Sequence, residues 1–278
     1  MPETKPGSLA LFFVLAYAWM WACFIPVAAQ VVPQPLRVPL TVVGAFGPAL
    51  AALLITARSA GREGVRRLLD RVLQGPVAAR WILFAVLYMA AIKLTAAVIH
   101  RLALGSWPAF GRDPWLLIPV AIAFSTPFQV GEELGWRGVA LPRLATRMGL
   151  RAASLVLGAI WAIWHLPQFF IAEGDSYGQS FWVFCLGVIA ISVIMAWLFA
   201  HVNGSLWPLM LFHSAINNSK DVVPSPVPGQ HQVFGFGASP VAWLTLGLLW
   251  LCAIGCLIAM PPADRIQPRL DPAGARLP

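Results

Sequence analysis

Charge is scarce in this sequence. Of its 278 residues, 19 are Lys or Arg and 11 are Asp or Glu, together 11%, where a soluble domain carries about 25%. So few charges cannot clothe a chain that is 59% hydrophobic in water, so the sequence reads as a polytopic membrane protein. Cysteine is equally sparse. Cys23, Cys185, Cys252 and Cys256 all lie in apolar runs, which suits packing and excludes a disulfide framework. Cys252 and Cys256 share a helix face, but no His or acid flanks them as a metal pair would need. Strand-like alternation, internal repeats and a soluble domain are missing. So is any aromatic-and-basic motif for nucleic acid. The net charge of +8 comes from arginines gathered in short connections between apolar runs, the positive-inside pattern.

What is present is a series of long apolar runs. A spanning helix needs about 20 of them in a row, and eight candidates emerge: 9–29, 39–57, 81–103, 115–141, 152–172, 181–200, 206–222 and 240–260. The expected fold is therefore an all-α, polytopic transmembrane helical bundle of about eight helices, one domain over 1–278. Lys5, the run from Leu9 and Val27-Ala28-Ala29 mimic a secretory signal, yet the length of the run and its Trp19 and Trp21 favour a retained first helix. Cations crowd the connection from Arg58 to Arg80, the stretch with Arg143, Arg147 and Arg151, and the tail with Arg265, Arg269 and Arg276. The connections near Arg37, near Arg112 and Asp113, and at Glu173 and Asp175 are poor in them. This alternation puts both termini, and a tail over 261–278, in the cytoplasm. Gly61 to Gly75 reads as a connecting loop, with 62–73 either solvated or lying as an amphipathic piece on the anionic leaflet. The loop from Val223 to Ser239, with Pro224, Pro226, Pro228 and Gly229, is irregular and non-cytoplasmic. Lys93 falls mid-span, where snorkelling or pairing with an acid outweighs a place in a catalytic cavity. The sequons at Asn203 and Asn217 are discounted, one in a tight turn and the other in a helix.

Three polar clusters interrupt the apolar background: Glu132-Glu133-Leu134-Gly135-Trp136-Arg137, Trp161-Ala162-Ile163-Trp164-His165 and His213-Ser214-Ala215-Ile216-Asn217. An ionisable side chain inside a span is costly and marks a functional site by default. Glu132 and Glu133 point about 100° apart on a helix. Arg137 is four residues beyond Glu133, the spacing of an intrahelical ion pair that holds Glu133 ionised. Glu132 is then free for general-base work, although the roles could be exchanged. His165 shares a face with Trp161, and His213 with Asn217. A neutral imidazole can take a proton or bind a metal, and an Asn amide can donate to an oxyanion. Counted at 1.5 Å per residue, Glu132, His165, His213 and Asn217 reach a similar depth, about 12–20 Å in.

Glu-Glu-x-x-x-Arg, aromatic-x-x-x-His and His-x-x-x-Asn, in this order on separate spans, resemble the CPBP superfamily, which joins CAAX proteases with bacteriocin-processing enzymes. Trp164-His165-Leu166-Pro167 and Gly204-Ser205-Leu206-Trp207-Pro208 add to the likeness, which covers about 115–220, the expected catalytic core helices. Trp161 stands where Phe is commoner. The resemblance implies an intramembrane endopeptidase of the CAAX prenyl endopeptidase type. Glu132 and His165 would activate a water, His213 and Asn217 would stabilise the oxyanion, and Glu133 and Arg137 would shape the site. A metal-free mechanism suffices. The alternative is a zinc ion on Glu132, His165 and His213, although no His-Glu-x-x-His is present. The expected partners are the bilayer, in the bacterial cytoplasmic membrane, and a protein or peptide substrate that the resemblance allows to be lipidated. Nucleic acid is not expected. Two other classes compete: a non-enzymatic scaffold or immunity-type partner, with polar residues gluing helices, and a proton-coupled transporter. No repeated half or matched broken helices support the latter.

Overall fold

A computed structural model describes residues 7–112, 114–172, 174–225 and 232–261. Lys5, Asp113, Glu173, Pro226, Pro228, Gly229, Arg265, Arg269 and Arg276 lie outside these residues. The described chain is helical and contains no strand. Its helices are α1 (Gly7–Ala28), α2 (Gln34–Ala45), α3 (Gly47–Asp70), α4 (Ala79–Leu104), α5 (Leu117–Ser125), α6 (Val130–Gly135), α7 (Leu141–Trp164), α8 (Phe181–His201), α9 (Trp207–Ser219) and α10 (Pro240–Ala259). A 3-10 turn, Thr126–Gln129, joins α5 to α6, and a π-helical turn, Trp136–Ala140, joins α6 to α7. Six stretches are long and apolar enough to cross a membrane.

The apolar runs place most of the spans, with two refinements. The span 39–57 is divided at Phe46 into α2 and α3. The span 206–222 is the 13-residue α9 followed by one 3-10 turn. At 1.5 Å per residue α9 is about 20 Å long, short of the ~30 Å hydrocarbon core. The stretch Leu117–Phe170 counts as one long apolar helix, but Gly149, at φ 77° and ψ 160°, breaks it. Gly61, at φ 62° and ψ −160°, breaks α3 in the same way. Both lie in a backbone region that is essentially open to glycine alone.

The break at Gly61 corrects the reading of Gly61–Gly75 as a loop. The chain stays helical to Asp70. Glu63 pairs with Arg66 and Arg67 at i+3 and i+4, and Leu68 is buried. The end of this helix is clamped to the bundle. Arg71 donates through Nη1 to Gly138 O at 2.9 Å, and through Nε and Nη2 to Gly204 O at 3.2 and 3.1 Å. Burial pulls the Arg71 guanidinium down to about 10, so it stays charged at neutral pH. Leu206 N returns a bond to Arg71 O at 2.8 Å. One arginine thus fastens α3 to the π turn and to the α8–α9 turn, where Asn203 and Gly204 take positive φ.

Inside the bundle, α1 is bound to α7. The Tyr17 hydroxyl donates to Ile160 O, Trp21 Nε1 to Trp164 O at 3.0 Å and Trp164 Nε1 to Ala16 O at 3.1 Å. Small residues bring the other helices together. A Cβ on Gly158 would stand 2.8 Å from Ile189 Cα, and one on Gly135 would stand 2.5 Å from Pro48 O. Gly135 matters for function, because it sets α6 against α3 two residues beyond Glu133. Gly135→Ala should therefore cost about 1–3 kcal/mol, the usual penalty for overpacking, since its neighbour is backbone that cannot swing away. Unfolding in detergent micelles measures this, and an unchanged midpoint would contradict the close approach.

Candidate active site

The three polar clusters meet. Glu133 is fully buried on α6, and its Oε1 accepts from Arg137 Nη1 at 2.9 Å and from His213 Nδ1 at 2.8 Å. The ion pair expected from the i+4 spacing is present, and α9 joins it as a third member. The Arg137 guanidinium, also fully buried, lies 4.2 Å from the centroid of the Trp161 ring. Stacking on an aromatic face suits this flat, weakly hydrated cation. Glu133 Oε2, Arg137 Nε and Arg137 Nη2 have no hydrogen-bond partner among the described residues.

Glu132 points elsewhere, as the 100° step between neighbours requires. It is half-buried. Its Oε2 accepts from Trp161 Nε1 at 2.7 Å and more weakly from Trp136 Nε1 at 3.4 Å. These indole donors were not evident in the sequence, where Trp161 stood only as an aromatic in place of Phe. Phe could cover Arg137 but could not donate to Glu132. The rotation of α7 against α6 decides this contact, and spacing along one helix carries no record of it.

His165 caps the C-terminal end of α7, where the helix gives way to a 3-10 turn at Leu166–Phe170. Its Nδ1 lies 2.7 Å from Trp161 O. A carbonyl only accepts, so Nδ1 carries the proton and Nε2 keeps its lone pair. Trp164, Phe184 and Trp161 surround the ring, with centroids 4.8, 5.3 and 5.6 Å away. The Trp161 and His213 rings stand edge to face at 5.3 Å. Trp161 therefore touches Glu132, Arg137, His165 and His213, and is the common wall of the site.

Asn217, one turn beyond His213, is exposed, and no hydrogen bond engages its amide among the described residues. Its neighbour Asn218 has a structural role. Asn218 Nδ2 donates to Ser125 Oγ and Ser214 O, both at 2.8 Å, and the Ser125 and Ser214 hydroxyls are 2.6 Å apart. This network ties α9 to α5. Lys93 is not part of the site. It is 2% exposed rather than snorkelling, and it donates to Val223 O at 3.0 Å and to Ser225 Oγ.

The depth of the site can be read from α4. Phe212 stacks on Phe84 with centroids 5.8 Å apart. Phe84 is five residues into α4, about 8 Å from its start at 1.5 Å per residue. That start follows the arginine-rich connection, so His213 lies nearer this end of the bundle. Among the described residues, no three His, Cys, Asp or Glu side chains are close enough to share a metal ion. Glu132, His165 and His213 do not form such a group in this arrangement.

The buried pair makes a quantitative expectation. Removing one partner strands the other, which costs about 3–5 kcal/mol. Glu133→Gln and Arg137→Met should each destabilise by this order, and the double variant by less than their sum. Chemical unfolding of the four proteins measures the coupling, and simple additivity would mean that the pair contributes nothing.

With this geometry in view, comparison with known proteins is informative. Residues 112–219 match the family described as type II CAAX prenyl endopeptidase, Rce1-like. The CAAX prenyl protease 2 of Methanococcus maripaludis is 33% identical over 98 residues, which make up 33% of this chain and 36% of that protein. The matched part is thus a little over a third of that relative's length. Glu132, Glu133, Arg137, His165, His213 and Asn217 all fall within the family match over 112–219. Over these residues the chain is similar to the type II CAAX prenyl endopeptidase family.

Proposed function

We propose that the protein is an intramembrane endopeptidase that hydrolyses a peptide bond of a membrane-associated protein or peptide. The observation that carries this reading is the meeting of Glu132, His165 and His213 around Trp161. The two histidines differ in the partner of Nδ1, and so in what Nε2 can do. His165 gives its Nδ1 proton to a carbonyl, so its Nε2 can accept a proton from water. His213 donates through Nδ1 to the Glu133 carboxylate, and in the proposed reaction it acts as the imidazolium, whose Nε2–H can donate. Glu132 and His165 therefore share the proton of the attacking water. As the water oxygen bonds to the scissile carbonyl carbon, charge gathers on the carbonyl oxygen. His213 Nε2–H and the open Asn217 amide stabilise that charge. The proton then passes to the leaving nitrogen as the C–N bond breaks. Glu133 and Arg137 hold His213 and Trp161 in place and do not touch the substrate.

The arginine-rich ends set the orientation we propose, with both termini and the near mouth of the site in the cytoplasm of a bacterial cell. The relative's name points to substrates cut near a lipid-modified C-terminus. We extend to this chain the coarser class, a membrane-associated substrate. A glue role fits a scaffold as well, for the Glu133–Arg137–His213 cluster and for the Trp161–Glu132 bond, but the family match over 112–219 favours the enzyme.

The test is a comparison of protein termini in cells carrying the wild type, Glu132→Ala, His165→Ala or Asn217→Ala. Cleavage of a common substrate should fall about 10²–10⁴-fold in the first two variants and about 10²–10³-fold in the third. Processing that persists in both Glu132→Ala and His165→Ala would sink the proposal. Hydrolysis by the purified protein should survive a strong chelator, and reversible loss would assign a metal to the reaction.

A further inference from the structure

Glu132 is held by one of its two oxygens. Trp161 Nε1 donates to Oε2 at 2.7 Å, the short end of the range for an N–H donor. Trp136 Nε1 adds a weaker bond to the same Oε2 at 3.4 Å. Oε1 takes no hydrogen bond from any described residue. Glu133 Oε2 also lacks a bond and is sealed from water, whereas Glu132 Oε1 is not sealed.

The two donors come from different parts of the bundle. Trp161 stands on α7 and spends its ring face on Arg137, whose guanidinium lies 4.2 Å from the ring centroid. Trp136 opens the π turn and is fully buried. Phe12 and Phe13 of α1 and Trp164 of α7 wall it in, with ring centroids 5.7, 6.4 and 5.7 Å away. Helix α1 lies outside the family match over 112–219, and it reaches Glu132 through this ring. π turns recur at functional sites. At this one, two adjacent residues serve two adjacent acids: Trp136 bonds Glu132 and Arg137 bonds Glu133.

A free glutamate side chain spreads over many rotamers, and ordering it costs entropy. Two donors on a single oxygen select one position and leave the lone pairs of the other oxygen unused. We propose that Trp161 and Trp136 are positioning residues that clamp Glu132 by Oε2 and so make Oε1 the oxygen that takes the proton of the attacking water. The clamp stands on geometry alone, while its part in catalysis rests on the endopeptidase reading. The face of Trp161 and its N–H then have separate tasks, one for the cation and one for the base.

Two measurements on the full chain in nanodiscs test this. The first follows the proton–nitrogen resonance of the Trp161 indole, identified by its loss in Trp161→Phe, and needs no proteolysis. The resonance should move upfield in Glu132→Ala and stay in place in Asn217→Ala. An unmoved resonance in Glu132→Ala would overturn the clamp. The second compares kcat and KM on a peptide spanning the bond that the comparison of termini identifies. Trp161→Phe should lower kcat about 10- to 100-fold, as a misplaced base does, with little change in KM. Trp136→Phe should lower it only about two- to fivefold, because its bond is long. Benzothienylalanine at position 161 keeps the shape of the indole but has sulfur in place of N–H. It should be as slow as Trp161→Phe at the wild-type melting temperature, and it serves alone if Trp161→Phe does not fold. Recovery of kcat with this isostere means that only ring volume matters and overturns the proposal, as does an unchanged kcat in Trp161→Phe. If the wild type cuts nothing while the resonance shifts as expected, the endopeptidase reading fails, the role of Oε1 falls with it, and the clamp alone stands.

Discussion

Two charges withdrawn completely from water set the terms for the candidate site of this protein. Glu133 and Arg137 are both fully buried, and their mutual attraction alone does not offset the desolvation of each. Further contacts have to complete the cluster. His213 supplies a second donor to Glu133 from α9, and Trp161 places its ring face against Arg137 from α7. Three helices are therefore held in register by one carboxylate and one guanidinium. A shift of any of them would strand a charge, so the cluster penalises displacement far more steeply than apolar packing does.

Glu132 draws its position from the same cluster. Because Glu133 is committed to Arg137 and His213, the helix has only one rotation left, and it turns Glu132 toward Trp161. The indole that supports the cation with its face thus donates to the neighbouring acid with its edge. Close helix approach makes this geometry stiff. Gly135 sets α6 onto Pro48, and Gly158 sets α7 onto α8. At the arginine-rich end, Arg71 bonds to the carbonyls of Gly138 and Gly204, which fixes the two chain segments that lead from Glu133 and into His213.

Much of this was legible in the sequence, for identifiable reasons. Apolar runs announce spans because the bilayer demands length and composition and little else. The i+4 pairs Glu133–Arg137 and His213–Asn217 announce shared faces because helical geometry is local. What could not be read depends on how one helix is rotated against another. The Trp161–Glu132 bond, the Arg71 clamp and the bonds of Lys93 to Val223 and Ser225 all join residues distant in sequence. The helix over 62–70 was one of two readings that the sequence left open. Its charges resemble those of a solvated loop, and the features that make it a helix are the Glu63 ion pairs and the buried Leu68. Asn217 and Asn218 show the limit from the other side. Both are polar and adjacent, but only Asn218 is bonded into the α5–α9 network.

The two histidines show how the fold assigns chemistry to residues that are identical in sequence. Each is held through Nδ1 and presents Nε2. The carbonyl of Trp161 orients His165. The carboxylate of Glu133 orients His213 and ties it to the buried Arg137. In the proposed reaction, base and oxyanion donor thus differ by the partner one bond behind the ring. Glu133 then has a role beyond burial. It links one histidine of the pair to the buried guanidinium, while the backbone at Trp161 alone holds the other.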